Sequence, residues 1–357
     1  MHYYEVAPNQ IIRASSASFT YASSSPLQVG QIVSIEVGRK SLIGIILKEV
    51  PRPSYATKEI QTLLDIPPLP EPLVHLAQWI SSYYMTHLAT VLQTLLPRGI
   101  QKKRRLRPHT ARISSRDRTN FVLNKDQHAA VDTITKMSPG TALLHGVTGS
   151  GKTQVYLELA KHTLAAGRSV ILLVPEIALT SQVVDEFSHH FDDILLTHSK
   201  QTEAERHTIW QTALTSDTPR ITIGPRSALF LPLKNVGLII IDESHEPSFK
   251  QEQSPRYSAL RAASILARSH AAKLILGSAT PTIADYYLAE QSGRPIIAMP
   301  TKARTGAIPP VVDIVDMTKR DNFKRHRFLS NKILVQIEET LTQGHQALLF
   351  HNRRGTT

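Results

Sequence analysis

Eight consecutive residues, Gly146, Val147, Thr148, Gly149, Ser150, Gly151, Lys152 and Thr153, fit the pattern G-x-x-x-x-G-K-[ST]. In that pattern successive backbone N–H groups wrap phosphates, the lysine (Lys152) neutralises the terminal ones and the Thr153 hydroxyl reaches Mg²⁺. About ninety residues further on, the apolar run Ile239-Ile240-Ile241 ends in Asp242-Glu243-Ser244-His245. Asp242 suits a Mg²⁺ held through water, and Glu243 suits a base that orients and deprotonates an attacking water. Alone, a glycine turn need hold no ligand, and an acidic pair after a strand also serves as a helix N-cap. Together the two motifs imply ATP and Mg²⁺, and hydrolysis that does work.

These side chains require a strand, loop and helix in that order. Residues 141–145 are a short apolar run leading into the glycine turn, and residues 153–165 read as a helix whose N-terminus faces the phosphates. Residues 236–241 are apolar and β-branched, as in a buried parallel strand, which places Asp242 and Glu243 at the carboxyl end where open α/β sheets bind ligands. From Phe121 onward, further strand candidates at 169–174, 220–223 and 273–276 alternate with amphipathic segments, which predicts a parallel, doubly wound α/β domain over 121–298. Residues 1–98 contain β-like runs at 32–37 and 42–47, split by Gly30, Gly38 and Gly44, and then a helical stretch at 72–95. A small β-barrel with a closing helix is expected there. A strand-like run at 311–315, a helix at 331–342 and a strand at 347–350 begin a new unit over 299–357. There is no internal repeat.

Composition narrows the setting. The chain has 357 residues, 41% of them apolar, enough for sizeable cores, and no run approaches the roughly 18 apolar residues of a membrane span. The N-terminus lacks the basic, apolar, small-residue order of a signal sequence, so a cytoplasmic protein is expected. With no cysteine there is no disulfide and no thiolate metal site in these residues, and the 16 histidines show no H-E-x-x-H spacing. The net charge of +12 is uneven: residues 1–96 carry six basic and six acidic side chains, whereas 97–120 carry nine basic and one acidic, including Lys102, Lys103, Arg104 and Arg105. Such a run, here over 99–120, is either a solvated linker or a phosphate-backbone contact that weakens with salt.

Other segments are more specific. Gln127, in Leu123-Asn-Lys-Asp-Gln127, precedes the glycine turn by about twenty residues, as suits a glutamine that reads adenine. Val174-Pro-Glu-Ile-Ala-Leu-Thr-Ser-Gln182, Thr197-His-Ser199, Ile223-Gly-Pro-Arg-Ser-Ala-Leu229 and Gly277-Ser-Ala-Thr-Pro281 follow in the order of superfamily 2 helicase motifs. With Phe249 to Tyr257 after the Asp-Glu-Ser-His box and Leu348 to Gly355 near the end, the chain resembles the PriA family of primosomal replication-restart DNA helicases. The resemblance implies a RecA-like first motor lobe, the start of a second, and an N-terminal 3′-DNA-end-binding domain with Phe19 and Tyr21 as landmarks. It also implies that His245, Ser278 and Thr280 relay nucleotide state to the DNA-contacting surface. Phe249, Lys250, Arg256 and Tyr257 match the family's aromatic-rich loop, in which aromatics beside cations stack bases and hold phosphates. The alternative is that Phe249 and Tyr257 pack the loop onto the domain.

By that resemblance the partners are DNA, both forked and single-stranded, with primosome proteins and single-stranded DNA-binding protein, in a nucleoid-associated setting. The chain also departs from the family pattern. Thr20 stands where the family often has Asp, Gln61 aligns with a Lys, Ser258-Ala-Leu260 replaces His-Ala-Arg, and a basic segment takes the place of a winged-helix domain. The family's zinc module and arginine finger lie beyond Thr357, so Zn²⁺ is expected of the family and not of these residues. The expectation for this chain is ATP and DNA binding with slow hydrolysis and no unwinding, since a missing arginine finger costs about 10³ to 10⁵ in rate. Competing readings are a non-catalytic fork-binding module with ATP as a conformational ligand, or another superfamily 2 DNA translocase.

Overall fold

A computed structural model describes residues 1–100, 122–176, 182–303 and 311–350. Lys102 to Arg105, residues 177–181 and residues 351–357 lie outside the described residues. Two compact units divide at 305/306, and each is described by itself.

The N-terminal strands are β1 (His2–Pro8), β2 (Phe19–Ser23), β3 (Ile32–Val37), β4 (Lys40–Val50), β5 (Lys58–Glu59) and β6 (Thr62–Leu63), in the sheet order β5-β2-β1-β4-β3-β6. The two edge strands are separated in sequence only by Ile60 and Gln61. Two residues bridge no more than about 10 Å, so the sheet curls until its edges approach. Backbone hydrogen bonds complete the seam, with Ile60 N–H donating to Ala22 of β2 and Gln61 N–H to Ser34 of β3, both at 3.0 Å. The expected barrel is therefore present. Tyr4, Val6, Tyr21, Val33, Ile35, Leu42 and Ile46 fill its interior, while the alternate residues Ile32, Ile43 and Ile45 face helices α1 (Glu71–Tyr83) and α2 (Leu88–Leu95).

Two local expectations change here. Gly44 does not split a strand but lies within β4, where an added Cβ would stand 2.5 Å from Val6 Cγ1. The helical stretch at 72–95 is two helices, because Met85 adopts φ 48° between them and His87 caps α2 by accepting from the Ala89 N–H at 3.1 Å.

The second sheet has the order β13-β7-β12-β11-β8-β10-β9, and every neighbouring pair is parallel. Its strands are β7 (Gly140–Gly146), β8 (Ser169–Leu173), β9 (Ile194–Leu196), β10 (Ile221–Gly224), β11 (Val236–Ile241), β12 (Lys273–Ser278) and β13 (Ile296–Met299). Parallel neighbours need crossovers, and the helices supply them. Leu144, Val170, Leu172 and Ile240 face α3 (Lys125–Lys136), α4 (Lys152–Ala165) and α5 (Gln182–His190). Leu143, Ile171, Leu173 and Ile239 face the other way, into a core shared with α6 (Glu203–Thr215), α7 (Ala259–Ser269) and α8 (Ile283–Gln291). That core is continuous with α1 and α2, and the buried Trp210 indole donates to the Leu95 carbonyl at 2.7 Å. Barrel and parallel sheet thus pack as one unit.

The second unit contains α9 (Asn331–Thr342), capped by Ser330 Oγ accepting from Ile333 N–H at 3.2 Å. The runs at 311–315 and 347–350, expected as strands, are not: among the described residues neither has a pairing partner. Apolar, β-branched composition does not make a strand without a ladder to join.

Candidate functional site

β7 and β11 lie either side of β12, so the loops leaving their carboxyl ends stand about 10 Å apart, two strand spacings. Side chains close that gap. The loop after β7 runs from Val147 to Gly151, and Gly151, at φ 79°, is the left-handed N-cap from which α4 starts at Lys152. Gly146 is tightly enclosed: a Cβ there would stand 2.6 Å from Ser150 Oγ and 2.9 Å from Lys152 Cγ. The loop is thereby wound closely enough to direct its N–H groups into one concavity, with Thr148 and Gly149 exposed at its rim.

Lys152 curls back over this loop. Its ammonium donates to the Gly146 carbonyl at 3.1 Å and stands 3.7 Å from Glu243 Oε1, with only 10% of the side chain exposed. Thr153, half-buried, follows it in the first turn of α4. Across the gap, Glu243 adopts φ 48°, an uncommon conformation for a non-glycine residue. It turns the chain out of β11 and brings its carboxylate within reach of both Lys152 and His245 Nδ1, the latter at 3.5 Å.

Asp242 is buried and accepts a 2.9 Å hydrogen bond from the Tyr156 hydroxyl. Burial is the largest influence on it and, with the Glu243 charge, raises its pKa, while the Tyr156 bond and the Lys152 charge act in the opposite direction. Burial and the two carboxylates also push the Tyr156 phenol well above its ordinary value, so it remains a donor. Between the two loops, at the end of β12, the buried Ser278 hydroxyl bonds His245 Nδ1 at 2.8 Å and accepts from the N–H of the exposed Thr280 at 2.9 Å.

The donor set suits a magnesium nucleotide. It combines backbone N–H groups, one buried ammonium, one hydroxyl and two carboxylates, and the buried Ser150 and Ser244 hydroxyls, one in each loop, have no hydrogen-bond partner among the described residues. Among the described residues no cluster of three or more His, Asp or Glu side chains forms a metal cage. Mg²⁺ is ordinarily held by one or two protein ligands together with substrate phosphates, so none is required.

Gln127 occupies a different place from an open base-reading position. The residue is 3% exposed, with Oε1 accepting from Asn124 N–H at 2.8 Å and Nε2 donating to the Ser150 carbonyl at 3.0 Å. It completes the capping box of α3 and anchors the loop after β7.

The loop after the Asp-Glu-Ser-His box requires a correction. Phe249 and Tyr257 are 2% and 3% exposed, and Tyr257 meets Phe230 edge-on at 5.1 Å between ring centroids. Both rings belong to the apolar core, so neither is open to stack on a base. Lys250 and Arg256 are exposed; Lys250 Nζ bonds the Arg256 carbonyl and lies 5.0 Å from the centre of the Tyr84 ring. In the barrel, Tyr21 is likewise a core residue, donating to the Glu36 carbonyl at 2.9 Å, and Phe19 is partly buried against the same interior.

Two residues escaped sequence reasoning. Tyr156 gave no signal beyond a buried helical position four residues after Lys152. Arg226 lies in the Gly-Pro-Arg-Ser-Ala-Leu-Phe block and ties that turn to the loop after the acidic box, donating to Gln251 Oε1 at 2.6 Å and to the Ser248 carbonyl.

Comparison with known proteins matches residues 124–287 to the DEAD/DEAH box helicase family and residues 11–97 to the 3′ DNA-binding domain (3′BD) family. Replication restart protein PriA of Rickettsia conorii is 34% identical over 337 residues, covering 92% of this chain and 50% of that protein. Its counterpart from Treponema pallidum is 34% identical over 358 residues, covering 95% and 52% respectively. That of Bacillus subtilis is 40% identical over 214 residues, covering 60% and 26%. The chain spans about half the length of the Rickettsia and Treponema relatives.

Proposed function

The chain belongs to the PriA family of replication restart proteins, and on that footing we propose that it is the ATP-binding and DNA-engaging part of an ATP-driven 3′ to 5′ DNA helicase. Its role would be to recognise abandoned replication forks and begin primosome assembly, with primosome proteins and single-stranded DNA-binding protein as partners. In this reading the 146–153 backbone holds the phosphates, and the Lys152 ammonium exchanges the Gly146 carbonyl for the terminal phosphate. Thr153 and Asp242 would hold Mg²⁺. When bound, Mg²⁺ supplies neutralisation of phosphate charge during in-line displacement. Glu243 orients the attacking water and accepts its proton, as a carboxylate beside a buried ammonium can do. His245, bonded to Ser278, carries the change in the Glu243 environment to the end of β12.

One observation supports this reading above others: Lys152 Nζ and Glu243 Oε1, from loops two strands apart, converge to 3.7 Å. Phosphate neutraliser and general base thus share one site. DNA contact is assigned to the barrel, to the exposed Lys250 and Arg256, and to Lys102, Lys103, Arg104 and Arg105.

A motor couples its two ligands, and coupling is reciprocal. The affinity of the chain for forked DNA should change severalfold when a non-hydrolysable ATP analogue and Mg²⁺ are present, and Lys152→Ala should abolish that change. Forked-DNA affinity that is indifferent to nucleotide would reject the motor reading.

A further inference from the structure

We propose that Tyr156 is a positioning residue that sets the Asp242 carboxylate for Mg²⁺, and that Gly277 is the steric opening through which it does so. The inference rests on the assignment of Asp242 to Mg²⁺ made above. Lys152, at the start of α4, folds back onto the phosphate loop, whereas Tyr156, one turn later, faces the sheet and is fully buried. Its hydroxyl reaches the Asp242 carboxylate at 2.9 Å. That reach crosses β12 at Gly277, where any Cβ would overlap the phenol oxygen. The phenol therefore sits where α4, the end of β11 just before Asp242 and the end of β12 meet.

A buried carboxylate needs donors both for solvation and for a fixed orientation. Asp242 obtains one from a rigid aromatic side chain whose own helix begins at the phosphate loop. The carboxylate is thus fixed, within one packed unit, relative to the helix that begins at the phosphate loop. Removing such a partner of a metal-binding group typically lowers metal affinity about 10- to 100-fold.

The test is Tyr156→Phe, which keeps the ring and removes the donor. ATP binding to the chain is measured at increasing Mg²⁺ and again in EDTA, with Asp242→Asn in parallel and thermal melting as a check on folding. The expected result is a Mg²⁺ requirement raised about tenfold or more in Tyr156→Phe with ATP affinity in EDTA unchanged. Gly277→Ala, which displaces the phenol, should shift it in the same direction. If Asp242→Asn raises the requirement and Tyr156→Phe leaves it at the wild-type value, the positioning role is refuted and the Asp242 assignment survives. Equal loss of affinity with and without Mg²⁺ in Tyr156→Phe would also refute it, since that marks a packing role. If Asp242→Asn itself has no effect, the Asp242 assignment fails and the inference falls with it.

Discussion

Replacing Gln127 with alanine should weaken the binding of ATP and GTP alike. The buried amide makes two hydrogen bonds, to Asn124 N–H at 2.8 Å and to the Ser150 carbonyl at 3.0 Å, and Gly151 packs against its Nε2 so closely that no Cβ would fit. Each bond contributes about 1 kcal/mol net, so alanine removes about 2 kcal/mol from the arrangement that holds the phosphate loop against α3. If only the Ser150 bond bears on the loop, nucleotide affinity falls about 5-fold; if both do, it falls about 30-fold. Neither bond involves the base, so the two nucleotides should lose affinity by the same factor. Competition titrations of ATP and GTP against a fluorescent nucleotide, in Mg²⁺, measure both. A loss confined to ATP would refute this reasoning and restore Gln127 as the reader of adenine.

Phe249→Ala should act on stability first, lowering it by about 3 to 5 kcal/mol as for other buried aromatics. Chemical denaturation checks this, and unchanged stability with lost single-strand affinity would return Phe249 to the DNA surface. Neutralising Lys102, Lys103, Arg104 and Arg105 to Gln should reduce the salt slope of DNA binding by about 3, because each side chain that pairs with a phosphate adds about 0.7 to 0.9 to that slope. An unchanged slope would make this run a solvated linker.

The geometry of the candidate site was legible because it depends on local order: a strand, a glycine turn and a helix place Gly146 to Thr153, and an apolar strand ending in acid places Asp242 and Glu243. The parallel sheet followed from the same alternation. Its edge strands β9 and β13 did not, since three or four apolar residues carry too little pattern to separate from a loop. Burial was the harder question. Phe249 and Tyr257 stand beside Lys250 and Arg256 in sequence, which looks like a stacking platform, but neighbouring side chains point to opposite sides and the core takes the aromatics. Tyr156 illustrates the same limit: its partner lies 86 positions away, just past the end of a strand joined to its own helix only through the fold. Gly44 reads as a break between strands and proves to be a point of close approach inside one, a role that Gly277 shares in β12.

The proposed motor site turns most directly on whether Lys152 holds ATP. Its ammonium is nearly buried and, among the described residues, bonds the Gly146 carbonyl with Glu243 at 3.7 Å, so it is poised for phosphate and its loss removes a charge-assisted contact. Binding of ATP with Mg²⁺, measured by calorimetry on the chain and on Lys152→Ala, should show affinity falling at least about 10-fold, as expected for a hydrogen bond to a charged group. Affinity for forked DNA in the absence of nucleotide should stay within about 2-fold, since the substitution lies apart from the proposed DNA contacts and remote effects are small. ATP affinity equal in the two proteins would contradict the account.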